Sequence, residues 1–484
     1  MIKIQTAVPE SVGIPSEAVT GFLEDLERQR LPMHAFLLAR GGKLVSEAYY
    51  APYGPEKLHR MFSVSKSFVS LAIGLLEQEG RIALDGRISD YFPEKLPEHV
   101  HPWVRNMTIR DMLKMQTCHS GTTYKAHPDR DWVESFFTTP PSHPSGTIFL
   151  YDTSAPHTLC ALVEKIKGKP LLDYLREKCL NAIGFSPDAY FIRDPFGVSM
   201  GGSGLMARPR DLLRLGLLLL NGGKLEDGTP LLPEAYLKQA CKFQTPTAHA
   251  ASFPEESLGY GYQFWCVRHG GIACYGMGGQ LLILLPRQKI VCVTAADTQE
   301  RKGGVQAIYD AFFNHIFTSL QDSPLPENSN ACTTLREKES ALSLPTVSGA
   351  AESPAAQVVS GTVYRMEEAS APFRRFALDL PSGKRPGSLR LFLGGEWHTL
   401  PFGFGDLKTG SFPVRHIFCA SSAAWTAPDT LHITCQLLDE NVGDIHFLFA
   451  FSGSLATIFL RKTEETILNE FQGFFTGTAE SPAE

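Results

Sequence analysis

Ser63 and Lys66 stand three residues apart in Phe62-Ser63-Val64-Ser65-Lys66, at the head of a segment whose apolar residues Phe68, Leu71, Ala72, Leu75 and Leu76 recur at helical spacing. On a helix, residues three apart share a face, so these two side chains can meet. A serine hydroxyl is a poor nucleophile until a base takes its proton, and a lysine can help once burial or a cationic neighbour lowers its pKa. The helix N-terminus adds backbone donors and a positive dipole beside Ser63. A chain with many serines and lysines also holds such a tetrad by chance, so the surrounding sequence has to decide.

The elements that must hold this pair are legible in the periodicity. Residues 16–30 are amphipathic, with Phe22, Leu23, Leu26 and Leu31 at helix-like spacing, and lead into Phe36-Leu37-Leu38, a Gly41-Gly42 turn and Leu44-Val45: a helix, then a hairpin. Residues 61–80 read as one helix closed by Gly80. Further helices are expected over 108–115 and 156–167, and a strongly apolar one over 208–221, stopped by Gly222-Gly223. Residues 281–285 and 290–294 predict two buried strands joined by a turn at Pro286, and a helix over about 304–320 ends this first unit. From about 321 to 357 the composition turns to Pro, Ser, Asn, Thr and Ala, as a linker does. Beyond it, alternating runs such as 389–393, 431–435 and 445–449 are separated by turn residues and predict antiparallel strands. The expected organisation is a first domain over 1–321, a linker over 322–357 and a β-rich, barrel-like domain over 358–484.

Composition bounds the function. At 484 residues the chain is long enough for two or three domains with real cores, at roughly 100 to 200 residues each. Its net charge of −6 leaves no positive surplus to neutralise a phosphate backbone or an anionic bilayer, so neither nucleic acid nor membrane is expected as a partner. With 43% hydrophobic and 20% charged residues the chain reads as soluble and folded. Its ten cysteines include no CxxC pair and no Cys/His cluster at zinc-ligand spacing, so they are read as mostly buried thiols with no metal. The first ten residues lack the apolar stretch of a secretory signal, and no apolar run approaches the roughly 20 residues that span a bilayer; a cytoplasmic protein is expected.

Ordered sequence blocks then supply the context for the tetrad. Residues 9–14 (PESVGI), 59–68 (HRMFSVSKSF), 84–93 (LDGRISDYFP), 107–115 (MTIRDMLKM), 201–205 (GGSGL) with Arg210-Asp211-Leu212, and 258–265 (LGYGYQFW) follow one another in order. Over about residues 8–318 the chain resembles the serine β-lactamase-like family, in the branch with class C β-lactamases, related esterases and nylon-oligomer hydrolases. The resemblance implies Ser63 as nucleophile and Lys66 as its partner. It also implies a second activator at Tyr151, in Phe149-Leu150-Tyr151-Asp152-Thr153-Ser154, provided nearby cations lower the pKa of the phenol. Thr153 replaces the family's asparagine, and a hydroxyl offers Lys66 fewer bonds than an amide. Asp152 is expected to face solvent.

The family's third motif, a strand with lysine or histidine beside the nucleophile, corresponds to residues 271–280 (GIACYGMGGQ), where neither residue occurs. That cation normally helps to hold a substrate carboxylate, so its absence weighs against β-lactams and towards an ester or amide. Either Cys274 or Gly276 is expected to give the second oxyanion-hole N–H beside that of Ser63. Trp132 and Phe136 are read as pocket lining or packing alike, as is Trp265; Ser65 is read as supporting the site. His59, His119 and His157 are read as packed or surface residues, and Arg193 and Arg208 as solvated.

The expectation is thus an α+β protein: a β-lactamase/transpeptidase-like domain, with an antiparallel sheet, flanking helices and a helical subdomain, followed by a smaller antiparallel β domain. It would hydrolyse a small-molecule ester or amide through a Ser63 acyl-enzyme, with no metal or organic cofactor. The rivals are a true β-lactamase or D-Ala-D-Ala carboxypeptidase, and a non-catalytic binding or sensor protein on the same fold. Sequence leaves open whether the chain forms a homo-oligomer.

Overall fold

The computed structural model describes residues 2–380, 386–464 and 467–480 and divides the chain into two compact units, Met1–Leu342 and Ser343–Glu484. The first unit is built on a seven-stranded sheet of β1 (Gln5–Thr6), β2 (Met33–Arg40), β3 (Lys43–Tyr49), β7 (Trp265–Val267), β8 (Gly271–Gly276), β9 (Gln280–Leu285) and β10 (Ile290–Ala296). Three short strands form a second sheet: β4 (His59–Arg60), β5 (Tyr190–Phe191) and β6 (Leu205–Ala207). The large sheet runs β1-β3-β2-β10-β9-β8-β7, antiparallel except for β1 on β3.

Both faces of this sheet are covered, which is why β2, β9 and β10 are buried almost throughout and mostly apolar instead of alternating. Ala35, Leu37 and Ala39 join the core shared with the Val64–Gln78 helix (α2) and the Pro209–Leu220 helix. Phe36 points the other way and packs its ring 4.5 Å from Phe22 of the Ser16–Arg28 helix (α1). Gly216 lets the Pro209–Leu220 helix lie close on the sheet, since a Cβ there would fall 2.5 Å from Val291 Cγ1.

Several boundaries differ from the sequence reading for physical reasons. The helix expected over 61–80 starts at Val64, because His59–Arg60 pair with β6 and Phe62 has φ +43°, which no helix accepts. The helix expected over 304–320 is regular only over Gly304–Ala311 and then widens into a π turn, Phe312–Ile316. The stretch expected as linker holds a helix, Ser329–Ala341, capped by the Asn328 side chain. It buries a single leucine, Leu335, and is tied to β3 by polar contacts: Ser46 Oγ donates to Glu339 Oε1 at 2.5 Å and Arg336 Nη2 to the Val45 carbonyl at 2.8 Å. A helix held this way shows little apolar periodicity.

The second unit is a ten-stranded antiparallel sheet running from Val363–Met366 to Gly473–Ala479. It closes into a barrel where Glu396–Phe404 pairs in parallel with Phe418–Ala427, at Gly403 with Ser422 and Phe404 with Ala423. Alternate residues point inward, so Phe376, Leu389, Leu391, Phe402, Phe447, Phe449 and Ile458 fill the interior, and closure removes the open edges. Among the described residues, no helix is long and apolar enough to cross a membrane.

Candidate active site

The turn into α2 presents Ser63. Met61 N–H donates to the Leu205 carbonyl at 2.8 Å, Phe62 bridges to Gly204, and the positive φ of Phe62 swings the chain sharply into the helix. A bulky residue in that conformation is strained and must be held. Ser65 holds it: its hydroxyl donates to the Phe62 carbonyl at 2.6 Å and accepts from Leu205 N–H at 2.9 Å. Further along α2, Ser67 and Ser70 donate to the carbonyls of Gln263 and Tyr262 at 2.7 and 2.6 Å, locking the helix to the segment that leads into β7.

The i, i+3 spacing does bring the expected pair together. Lys66 Nζ donates to Ser63 Oγ at 2.7 Å and to the Gly202 carbonyl at 2.7 Å. Lys66 is 1% exposed whereas Ser63 is only half-buried, so the amine is shielded and the hydroxyl reachable. Burial lowers the Lys66 pKa to about 7, working against the Asp152 charge and helped by Lys125. The carbonyl that takes the second bond comes within reach because residues 201 and 202 are glycines: a Cβ on Gly201 would lie 2.4 Å from Cys160 Cβ, and one on Gly202 would lie 2.4 Å from Thr153 Cγ2.

Tyr151 completes the cluster. Ser63 lies near enough to its hydroxyl to favour the ionised phenol, and Lys66 Nζ sits 4.8 Å from the centre of its ring. The ring stacks on Trp265 at 5.7 Å, within an aromatic wall that includes Phe149, Tyr260 and Tyr275. Burial raises the phenol pKa above its ordinary value, and Ser63 only partly opposes this. The expected lowering by nearby cations is therefore overturned: desolvation dominates, the charged neighbour that acts on the phenol is the anionic Glu256, and Tyr151 is a neutral phenol at physiological pH.

Asp152 corrects a second expectation, since it is 0% exposed and does not face solvent. Its carboxylate accepts from Ser154 N–H at 2.8 Å, from the Ser154 hydroxyl, and from Thr117 Oγ1 at 3.1 Å. Burial raises its pKa to about 6, against those bonds and the Lys66 charge. Thr153 N–H donates to Thr122 Oγ1 at 3.0 Å, while the Thr153 methyl packs at Gly202; the Lys66 bond that an asparagine there would take goes to the Gly202 carbonyl.

On β8 the two oxyanion candidates, two residues apart, differ in what they touch. Cys274 is 1% exposed and its thiol meets the Ser67 hydroxyl, so its side chain points into α2. Gly276, two residues on, faces the same way and abuts the turn itself: a Cβ there would lie 2.2 Å from the Met61 carbonyl oxygen. Tyr275, on the opposite face, packs against Phe253 at 5.7 Å and Trp265 at 6.4 Å, an aromatic residue in the strand where a cation was missing from the sequence.

The remaining residues fall outside this cluster. Trp132 stacks on Tyr124 at 4.0 Å and meets His157 edge-on at 5.3 Å, and Phe136 is fully buried among Phe137 and His119. His157 Nε2 pairs with Asp194 Oδ2 at 3.0 Å. His59 stacks on Tyr53, and burial pushes both His59 and His119 down to about 4. Arg208 forms ion pairs with Glu56 and Asp188, and Arg193 donates to the Gly197 carbonyl.

A serine hydrogen-bonded to a buried lysine, on a helix that starts beside an antiparallel sheet, is the arrangement of penicillin-recognising serine hydrolases. The Beta-lactamase family model matches residues 18–313, and the chain belongs to that family. It is 28% identical over 313 residues to the 6-aminohexanoate-dimer hydrolase of Paenarthrobacter ureafaciens, covering 59% of this chain and 79% of that protein. Among solved structures it resembles a candidate 6-aminohexanoate-dimer hydrolase from Bacillus anthracis (23% identity, 67% and 89% of the two chains, TM-score 0.53). It also resembles a candidate beta-lactamase from Bacteroides dorei (14% identity, 62% and 98% of the two chains, TM-score 0.50). At these identities the structural likeness establishes the fold.

Proposed function

We propose that this chain is a serine hydrolase that cleaves an ester or amide bond of a small molecule through a Ser63 acyl-enzyme. The observation that carries the reading is the 2.7 Å contact between Ser63 Oγ and a fully buried Lys66 whose pKa burial brings to about 7. With the amine neutral, the Ser63 hydroxyl donates its proton to Nζ as Oγ bonds to the substrate carbonyl carbon. The carbonyl oxygen becomes an oxyanion, held by the N–H of Ser63 and by the β8 backbone at Gly276. Tyr151, neutral and beside Ser63, relays the proton from Lys66 to the departing alcohol or amine. Water then attacks the acyl-enzyme by the reverse route, releasing the acid and restoring Ser63.

The missing cation on β8 favours this reading over a β-lactamase or D-Ala-D-Ala carboxypeptidase, because nothing on that strand would pair with a substrate carboxylate. Family membership and the resemblance to the 6-aminohexanoate-dimer hydrolase support an amide among the substrates.

The test is hydrolysis of short-chain p-nitrophenyl esters by wild type and Ser63→Ala, with intact-mass detection of an adduct. Turnover and an acyl adduct on wild type alone are expected. Equal rates in both proteins would overturn Ser63 as nucleophile, and an adduct that persists without turnover would indicate a sensor.

A further inference from the structure

Two opposite charges are buried at this site without a direct ion pair. The Asp152 carboxylate, 0% exposed, is bonded only by neutral donors: the Ser154 amide, the Ser154 hydroxyl and the Thr117 hydroxyl. Lys66, 1% exposed, bonds a hydroxyl and a backbone carbonyl, both uncharged. A charge taken out of water needs a compensating one nearby. The fold supplies it through three consecutive residues. Tyr151 lies with its ring 4.8 Å from Lys66 Nζ, Thr153 packs on Gly202, whose carbonyl accepts from Nζ, and Asp152 is the residue between them.

We propose that Asp152 is a positioning residue for the Lys66 base, the buried counter-charge that holds the lysine amine against Ser63 and sets how readily it releases its proton. The proposal rests on Lys66 being the base, as proposed above. The other groups that bear on the pair are few. Lys125 opposes the Lys66 charge; Tyr124 and Cys118, which feel the Asp152 charge, are held neutral by burial; Tyr151 is likewise neutral. Of the charges that bear on Lys66, the Asp152 carboxylate is the one that favours its protonated form. In a chain where threonine replaces the asparagine of the family's motif, the neighbouring aspartate stabilises the lysine by charge instead of by an amide.

The experiment compares pH profiles of kcat/KM for p-nitrophenyl ester hydrolysis by wild type, Asp152→Asn and Thr117→Val. Asparagine keeps an oxygen for the two Ser154 donors and puts an NH2 in place of the other oxygen, to which the Thr117 hydroxyl can turn as acceptor, so the charge goes while both contacts can be kept. Without the anion Lys66 loses its proton more easily, so the acid limb should move to lower pH by roughly one unit. Thr117→Val removes one donor to the carboxylate, favours protonated Asp152, and should move the limb the same way by less. A purely structural Asp152 would lower the rate at every pH and leave the limb in place, which would overturn the proposal. Should Asp152→Asn fail to fold, the Thr117→Val profile decides alone. A wild type with no acid limb near neutrality would instead count against Lys66 as the base.

Discussion

A Cβ atom added at Gly276 would lie 2.2 Å from the carbonyl oxygen of Met61, the same oxygen that accepts from Val64 N–H at 3.1 Å in the first turn of α2. Strand and Ser63 turn are thus in backbone contact, and only glycine permits it. Gly276→Ala should force β8 away from Ser63 without backbone strain of its own. If Gly276 supplies an oxyanion donor, kcat should fall by about 10²–10³-fold, the cost of losing one such donor, with a smaller change in KM. Steady-state kinetics on an ester, beside near-ultraviolet circular dichroism to confirm packing, would check this; an unchanged kcat would move the donor elsewhere.

The activity should need a neutral Lys66. Burial sets its pKa to about 7, so kcat/KM should rise with pH, about tenfold per unit below 7, and level off above. The limb cannot come from His59 or His119, since burial holds both near 4 and they are neutral throughout that range. Lys66→Arg keeps a positive charge that is never released and should cost at least about 10³-fold in kcat. A variant with arginine that retained the wild-type profile would remove Lys66 from the role of base.

What the sequence made legible was what periodicity and spacing encode. Ser63 and Lys66 meet because residues three apart on a helix must, and the hairpin of β2 and β3 follows from its glycine turn. Tyr151 came from the order of motifs, and the structure brings it to Ser63. Burial was not legible. An aspartate in a Tyr-Asp-Thr turn reads as solvent-facing, and nothing local announces that Thr117, thirty-five residues upstream, will donate to it. The same blindness gave Tyr151 a lowered pKa: the cations were countable, the desolvation was not. The Ser329–Ala341 helix escaped because Arg336 and Glu339, not an apolar stripe, tie it to β3.

Tyr151→Phe isolates the hydroxyl. Phenylalanine keeps the stacking on Trp265 at 5.7 Å and the ring beneath Lys66, so the fold should be unaffected. Loss of the relay should reduce kcat by about 10²–10⁴-fold, the range of a general acid–base step. Because burial holds the phenol neutral, wild-type kcat/KM should show no tyrosine limb up to about pH 10. A fall in rate between pH 8 and 10 that vanished in Tyr151→Phe would show the phenol ionising in the working range, against this account.

Gly202 carries the carbonyl that orients Lys66, and its neighbour is Thr153. A Cβ at Gly202 would lie 2.4 Å from Thr153 Cγ2 and 2.8 Å from the Thr153 carbonyl oxygen. Gly202→Ala should therefore destabilise the protein by about 1–3 kcal/mol, as overpacking does, and displace the acceptor from Nζ, lowering kcat as well. Adding Thr153→Ala removes the side-chain half of the clash and leaves the backbone half, so the double variant should recover part of both losses. Denaturant midpoints and kcat for the two single variants and the double form a cycle that measures this coupling. Strictly additive effects would mean that the two residues do not press on each other, and that the Lys66 acceptor is held by some other contact.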